Sequence, residues 1–255
     1  MAMKKTIITA ILVLAALVAQ AAKSDSTFLG MGFRFEGRVG YNIGGTAPMG
    51  MPATIRALNR FSLTPNITFG LGAYKPIYGR WGAKVGITFE NKGMDMDARV
   101  KNYHMEIVKG GEVLAGMFTG NVVTRVTQWM FTVPLQVTCD VGKVRLRCGP
   151  YFSYLTGSTF DGWAYDGHLR VDDPTGAKVM LGHDEGERGE YDFSDSMRRL
   201  QIGMGIGADW YFMRKFGVWA DLNMGFHGVH KSDFRTIEQT LYPIYGAVGI
   251  TYKIR

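Results

Sequence analysis

The sequence predicts an all-β protein: an eight-stranded antiparallel up-and-down transmembrane β-barrel with short periplasmic turns and long extracellular loops. Three observations carry this. Apolar residues alternate with polar ones or glycine over runs of ten or more residues. The connections between runs alternate between short and long. Large aromatics gather at both ends of the apolar face. Composition agrees. With 255 residues, 46% hydrophobic and 20% charged, the chain has enough apolar content to fold and too little charge for disorder. Its 34 glycines lack collagen periodicity and suit tight turns and crowded strands.

The first segment reads as an address. Met1–Lys5 carries two lysines, and the apolar stretch after it is about 13 residues, too short for a spanning helix. Ala19-Gln20-Ala21 offers a small-x-small cleavage site. Residues 1–21 are thus expected to be a cleaved secretory signal and 22–255 the barrel domain, placed in the cell outer membrane.

The strands follow in order. Phe33–Ile43 sets Phe33, Phe35, Val39, Tyr41 and Ile43 against Arg34, Glu36, Arg38 and Asn42. Trp81–Lys92 sets Trp81, Ala83, Val85, Ile87 and Phe89 against Lys84, Gly86, Thr88 and Glu90. Leu200–Phe212 and Phe216–Phe226 repeat the pattern, and Asn66–Lys75, Val123–Cys139, Val144–Thr156 and Leu241–Ile254 complete eight. Period two over such lengths is a strand signal. Tyr78–Arg80, Val141–Lys143 and Met213–Lys215 read as tight turns. The connections over Gly44–Pro65, Met94–Gly120, Gly157–Met197 and Gly228–Thr240 read as long loops. Short turns on one side and long loops on the other mark outer-membrane barrels.

Trp81, Trp210, Phe212, Phe216 and Tyr252 lie beside the short turns. Tyr41, Phe89, Trp129, Tyr154, Phe226 and Tyr242 lie near the long loops. These are two expected girdles, separated by about ten residues or roughly 25 Å. A soluble sandwich would gather its largest aromatics in one core.

On the opposite face, Glu36, Arg38, Lys84, Arg147, Asp209 and Asp221 stand three to five residues from the short-turn end. They are expected to form one ion-paired layer across a lumen that eight strands leave just wide enough for side chains. Such a layer plugs the barrel.

Other groupings are weak. His227, His230 and Asp233 resemble the carboxylate-histidine pairs of outer-membrane proteases only loosely, and no nucleophile is tied to them by spacing. Asp172–Gly176 and Asp184–Glu190 lack the ligand spacing of a calcium loop. Cys139 and Cys148 flank a tight turn; with Cys139 facing about Val144, they are expected to stay free thiols. No catalytic set, metal site or cofactor is expected. The net charge of +7 does not point to nucleic acid, because many cations face inward or cap turns. Lys143, Lys215, Lys253 and Arg255 are expected at the periplasmic rim beside headgroups.

Several segments resemble the Bacteroidota outer-membrane β-barrel family, the PorT-like or "porin family" small barrels. They are Phe89–Met94, Ala98–Met105, Gly149–Tyr154, Tyr191–Asp195, Lys231–Phe234 and Tyr242–Gly246. The resemblance implies an eight-stranded outer-membrane barrel and says little about activity. The leading expectation is a monomeric structural or interaction barrel. It would contact outer-membrane lipid and lipopolysaccharide, and its long loops would meet an envelope protein or a surface glycan. A small solute channel and an accessory barrel of a secretion or envelope-assembly system are the alternatives. An enzyme is not expected.

Overall fold

The computed structural model describes residues 32–254 apart from 49, 51–52, 65, 235 and 237–239. Residues 1–21, expected to be a signal segment, and Arg255 lie outside the described residues. Among the described residues eleven strands form in chain order. They are β1 (Arg34–Pro48), β2 (Ile55–Leu63), β3 (Ile67–Tyr78), β4 (Trp81–Lys109), β5 (Glu112–Val141), β6 (Val144–Val171), β7 (Lys178–Leu181), β8 (Gly189–Asp192), β9 (Leu200–Trp210), β10 (Phe216–Gly225) and β11 (Leu241–Lys253). Eight of them close a ring in the order β1, β3, β4, β5, β6, β9, β10, β11, and β11 pairs back to β1. Every pairing is antiparallel, with neighbours in sequence joined by hairpins as tight as Gly142-Lys143, where Val141 faces Val144. Gly142 takes φ +60° there, a left-handed conformation that glycine adopts without steric cost.

Over the lower part of the ring the chain is inside out by the standard of a water-soluble protein. Val85, Ile87, Leu135, Val137, Ile206, Val218, Val248 and Ile250 point outward and are exposed, whereas Lys84, Thr138, Arg147, Asp209 and Thr251 point inward and are buried. This is the pattern of a barrel whose exterior meets hydrocarbon.

The long connections differ from the loops expected of them. Much of Met94–Gly120 continues β4 and β5 as strand to a hairpin at Gly110-Gly111, and β6 runs on to Val171. Within Gly44–Pro65, β1 extends to Pro48 and β2 adds to the edge of β4. Strands β7 and β8 add to β6, and Val108 also bridges Glu190. A β-extension therefore rises from one side of the ring.

The reason lies in the residues themselves. Along β4 the even positions face inward from Gly82 to Val100, above which a register shift before Tyr103 turns Met105 and Ile107 inward. Below they are Lys84, Gly86, Thr88, Glu90 and Lys92; above they become Met94, Met96, Ala98 and Val100. The odd positions change oppositely, from Val85, Ile87 and Phe89 to Asp95, Asp97 and Arg99. The strand keeps its register while its two faces exchange polarity. Above the exchange, Met94, Val100, Met105, Ile107, Phe118, Val122, Phe160, Leu169, Tyr191 and Val229 form a water-soluble type of core.

Candidate functional site

The interior holds charged and polar layers within the ring and an apolar cavity above them. All six charged residues expected in the lumen meet in the layer. Asp209, fully buried, lies 2.9 Å from Arg147 Nε and 3.6 Å from Lys84 Nζ, and Arg38 donates to it as well. Asp221 takes Arg147 Nη2 at 2.5 Å and Arg38 Nη1 at 3.3 Å. Glu36 accepts from Lys84 and from the Tyr211 hydroxyl at 2.9 Å. Arg147 Nη1 also donates to Gln136 at 3.1 Å, and the Arg38 guanidinium lies 4.6 Å from the centre of the Trp219 ring.

Glycine on the facing walls makes the room. A Cβ at Gly207 would fall 1.9 Å from Asp221 Oδ1 and 2.9 Å from Arg147 Nη2. One at Gly72 would stand 3.0 Å from Lys84 Cε and 3.2 Å from Glu36 Cγ. The glycine-rich inner face and the charged layer are thus one design: bare backbone on one strand admits a long ionic side chain from the next.

A second group, not picked out from the sequence, closes the short-turn mouth. Arg145 Nε donates to Asp140 at 2.7 Å, and its guanidinium stacks 3.4 Å from the centre of the Tyr74 ring. Lys253 Nζ lies 3.5 Å from the Tyr211 ring centre. Lys253 therefore turns onto the mouth rather than out to headgroups. Arg145 shares the inward parity of Arg147, and that was the available signal.

A further polar layer lies above. Glu90 meets Lys92 at 3.0 Å and accepts from Thr132 at 2.6 Å and Asn42 at 3.3 Å. Gln201 donates to Gln128 at 2.7 Å. Between the two charged layers lies a void of about 60 Å³ bordered by Arg38, Thr68, Glu90 and Arg147, room for a few waters at most.

The aromatic residues divide as follows. Trp81, Trp210, Phe212, Phe216 and Tyr252 are exposed on the outer face at the short-turn end, with Trp210 beside Phe212 and Phe216 beside Tyr252. At the other end Tyr154 and Phe226 are exposed, and Tyr41, Trp129 and Tyr242 are half-buried. Phe89 departs from its expected position: it is only 5% exposed, covered by Trp129 at 5.4 Å and Phe131 at 4.9 Å between ring centres. Cross-strand aromatics on one face shield one another.

The cysteines are free, though their register differs by two residues from the expected one. Cys139 faces Leu146, and Cys148 faces Val137. The turn holds two residues instead of three, which sets the cysteines on a diagonal, roughly 7–8 Å apart and too far for a bond.

His227 and Asp233 are exposed, while His230 is buried between the rings of Phe160 and Phe234, at 4.7 and 4.3 Å. Burial pushes its pKa down to about 4, so it is a neutral packing residue. Asp173 Oδ1 accepts from the Thr175 amide and hydroxyl at 2.7 and 2.8 Å, which holds its carboxyl below the usual range and closes a turn. Among the described residues no group of three or more metal-ligating side chains converges.

Closed on itself, apolar outside and ion-paired within, the ring is a transmembrane β-barrel. The chain belongs to the outer membrane protein beta-barrel domain family, whose model matches residues 18–231; this gives an outer-membrane location. No curated protein matches the chain. Among solved structures it is similar to CarO2 of Acinetobacter baumannii, at 11% identity over 86% of this chain and 98% of that one, with a TM-score of 0.40. It is also similar to Ail, the attachment invasion locus protein of Yersinia pestis, at 10% identity, 87% and 97% coverage and a TM-score of 0.34. The outer membrane protease OmpT of Escherichia coli matches at 10% identity, 87% and 93% coverage and a TM-score of 0.37. Likeness at this level carries no argument about activity.

Proposed function

We propose that the protein is a monomeric, non-conducting outer-membrane barrel of structural or interaction type, delivered by a cleaved signal peptide. In this reading its outward β-extension receives an envelope protein or a surface glycan, and it catalyses no reaction. The observation that carries the reading is the charged layer: Glu36, Arg38, Lys84, Arg147, Asp209 and Asp221 fill the cross-section and pair with one another. A lumen that narrow leaves no continuous wet route. The two girdles would sit at the two headgroup levels, in contact with lipid and lipopolysaccharide. A small solute channel and an accessory barrel of a secretion or envelope-assembly system are the alternative readings.

Planar-bilayer recording tests the proposal. The refolded barrel should give no steady single-channel current; stable unitary conductance would make the small solute channel the correct reading. Cross-linking in native outer membranes through the β4–β5 hairpin should capture a discrete partner, and its absence would argue against an interaction role.

A further inference from the structure

Above the upper polar layer lies a cavity of about 450 Å³, within the roughly 300–1,000 Å³ of small-molecule pockets. Its walls are almost wholly apolar: Met94, Met96, Ala98, Met105, Val122 and Phe160 are among them. Among the described residues no charged side chain lines it.

The barrel wall is interrupted beside this cavity. Strand β1 pairs with β3 only up to Tyr41 and Ile67, and the Asn42 amide makes the last backbone bond on that side, to Asn66 at 2.9 Å. Above that, Gly44–Pro48 pairs with β11 alone. Strand β2 pairs with β4 alone. Among the described residues no backbone hydrogen bond joins the two facing edges. The Tyr41 hydroxyl, donating to the Thr64 carbonyl at 2.8 Å, closes the bottom of the gap. Both edges line the cavity, through Gly45 and Ala47 on one side and Ile55, Leu58 and Phe61 on the other. Leu58 and Phe61 are 53% and 45% exposed.

Depth and charge identify what fits. Ala47 faces Tyr242, a residue of the outer aromatic belt, so the gap stands at the outer-leaflet interface, where acyl chains end and headgroups begin. Along β2 and β4 beside it Arg56, Arg60, Arg99 and Lys101 are exposed, and they outnumber the two carboxylates of that wall, Asp95 and Asp97, of which Asp97 faces Arg60 across the strands. Among the described residues none of the four has a carboxylate within ion-pair distance. An apolar chamber opening sideways at that depth, next to unpaired cations, is complementary to a hydrocarbon tail with an anionic head.

We infer that the gap between β1 and β2 is a lateral portal through which the cavity takes the acyl chain of an anionic outer-leaflet amphiphile, with Arg99 and Lys101 at its headgroup. The portal is independent of whether the lumen below conducts.

The test uses the barrel in lipid nanodiscs, titrated with dansyl-labelled undecanoic acid and, separately, with its methyl ester. Wild type should bind the acid saturably above the signal of empty nanodiscs. Ala98→Trp, which fills the chamber, and Leu58→Glu, which puts a like charge in the portal, should each weaken binding of the acid at least about tenfold. The Arg99→Glu/Lys101→Glu double variant should weaken the acid and leave the ester unchanged. Leu58 is half exposed, so its variant decides the matter if Ala98→Trp does not fold. Wild-type affinity in folded Leu58→Glu, or equal losses for acid and ester in the double variant, would overturn the inference.

Discussion

Replacing Asp209 by Asn removes one charge from the centre of the lumen network and nearly conserves shape. Asp209 is fully buried and touches three cations, Arg38, Lys84 and Arg147. After the change these share only Glu36 and Asp221, and one positive charge is left uncompensated away from water. Breaking a buried pair by removing one partner costs about 3–5 kcal/mol, and the complete burial of Asp209 puts this variant at the upper end. Asp221 is 13% exposed and pairs with two cations, so Asp221→Asn should cost less. Asp140 is 35% exposed and lies in the range of surface pairs, at most about 1 kcal/mol. Urea unfolding of the three variants in lipid vesicles, followed by intrinsic fluorescence, gives the ranking. Equal midpoints for Asp209→Asn and Asp140→Asn, or an Asp209→Asn barrel as stable as wild type, would refute the view that the layer acts as one mutually compensated unit.

Arg147→Ala should likewise lower the temperature at which the folded band converts on a gel, while Asp184→Ala, in the exposed extension, should not. Gly207→Val should prevent folding or separate Arg147 from Asp221, read as loss of the folded band; a normal band would show that the wall can yield. Cys139 should remain unlinked to Cys148 by mass spectrometry without reductant, whereas Leu146→Cys should cross-link to Cys139, its direct partner; the opposite result would overturn the register. His230 is held neutral with its pKa near 4, against about 6.5 when unfolded. Its stabilising contribution is therefore complete above pH 6.5 and is lost as pH falls towards 4, by up to about 3 kcal/mol. Hydrogen exchange at Arg198 and Lys231, whose amides bond Val229 and Ser196, should accelerate over that window in wild type and not in His230→Phe.

The eight ring strands were legible because one face meets hydrocarbon and the other a packed lumen, so alternation is strong in each. The charged layer was legible for the same reason: parity and distance from a short turn place an inward residue in three dimensions. The extension was harder to read. Beyond Lys92 the alternation of Met94, Met96, Ala98 and Val100 with Asp95, Asp97 and Arg99 is equally regular, but its polarity is reversed, which reads as an interruption if the lower strand sets the expectation. The mouth cluster of Tyr74, Asp140, Arg145, Tyr211 and Lys253 was missed because it depends on cation–aromatic stacking between strands far apart in sequence. The cavity depends on two strand edges failing to meet, and no local pattern announces that.

The exchange of polarity along β4 also fixes how deep the molecule sits. Outward from the belt, Phe89 is followed by Asn91, Gly93 and Asp95 within six residues, so there is little tolerance for vertical drift. Sinking would carry Asp95 and Asp97 towards hydrocarbon; rising would lift Val85 and Ile87 into water. Both displacements are opposed by residues of the same strand. Where the surrounding bilayer is thicker or thinner than the band between the two belts, the lipid and not the protein has to adjust.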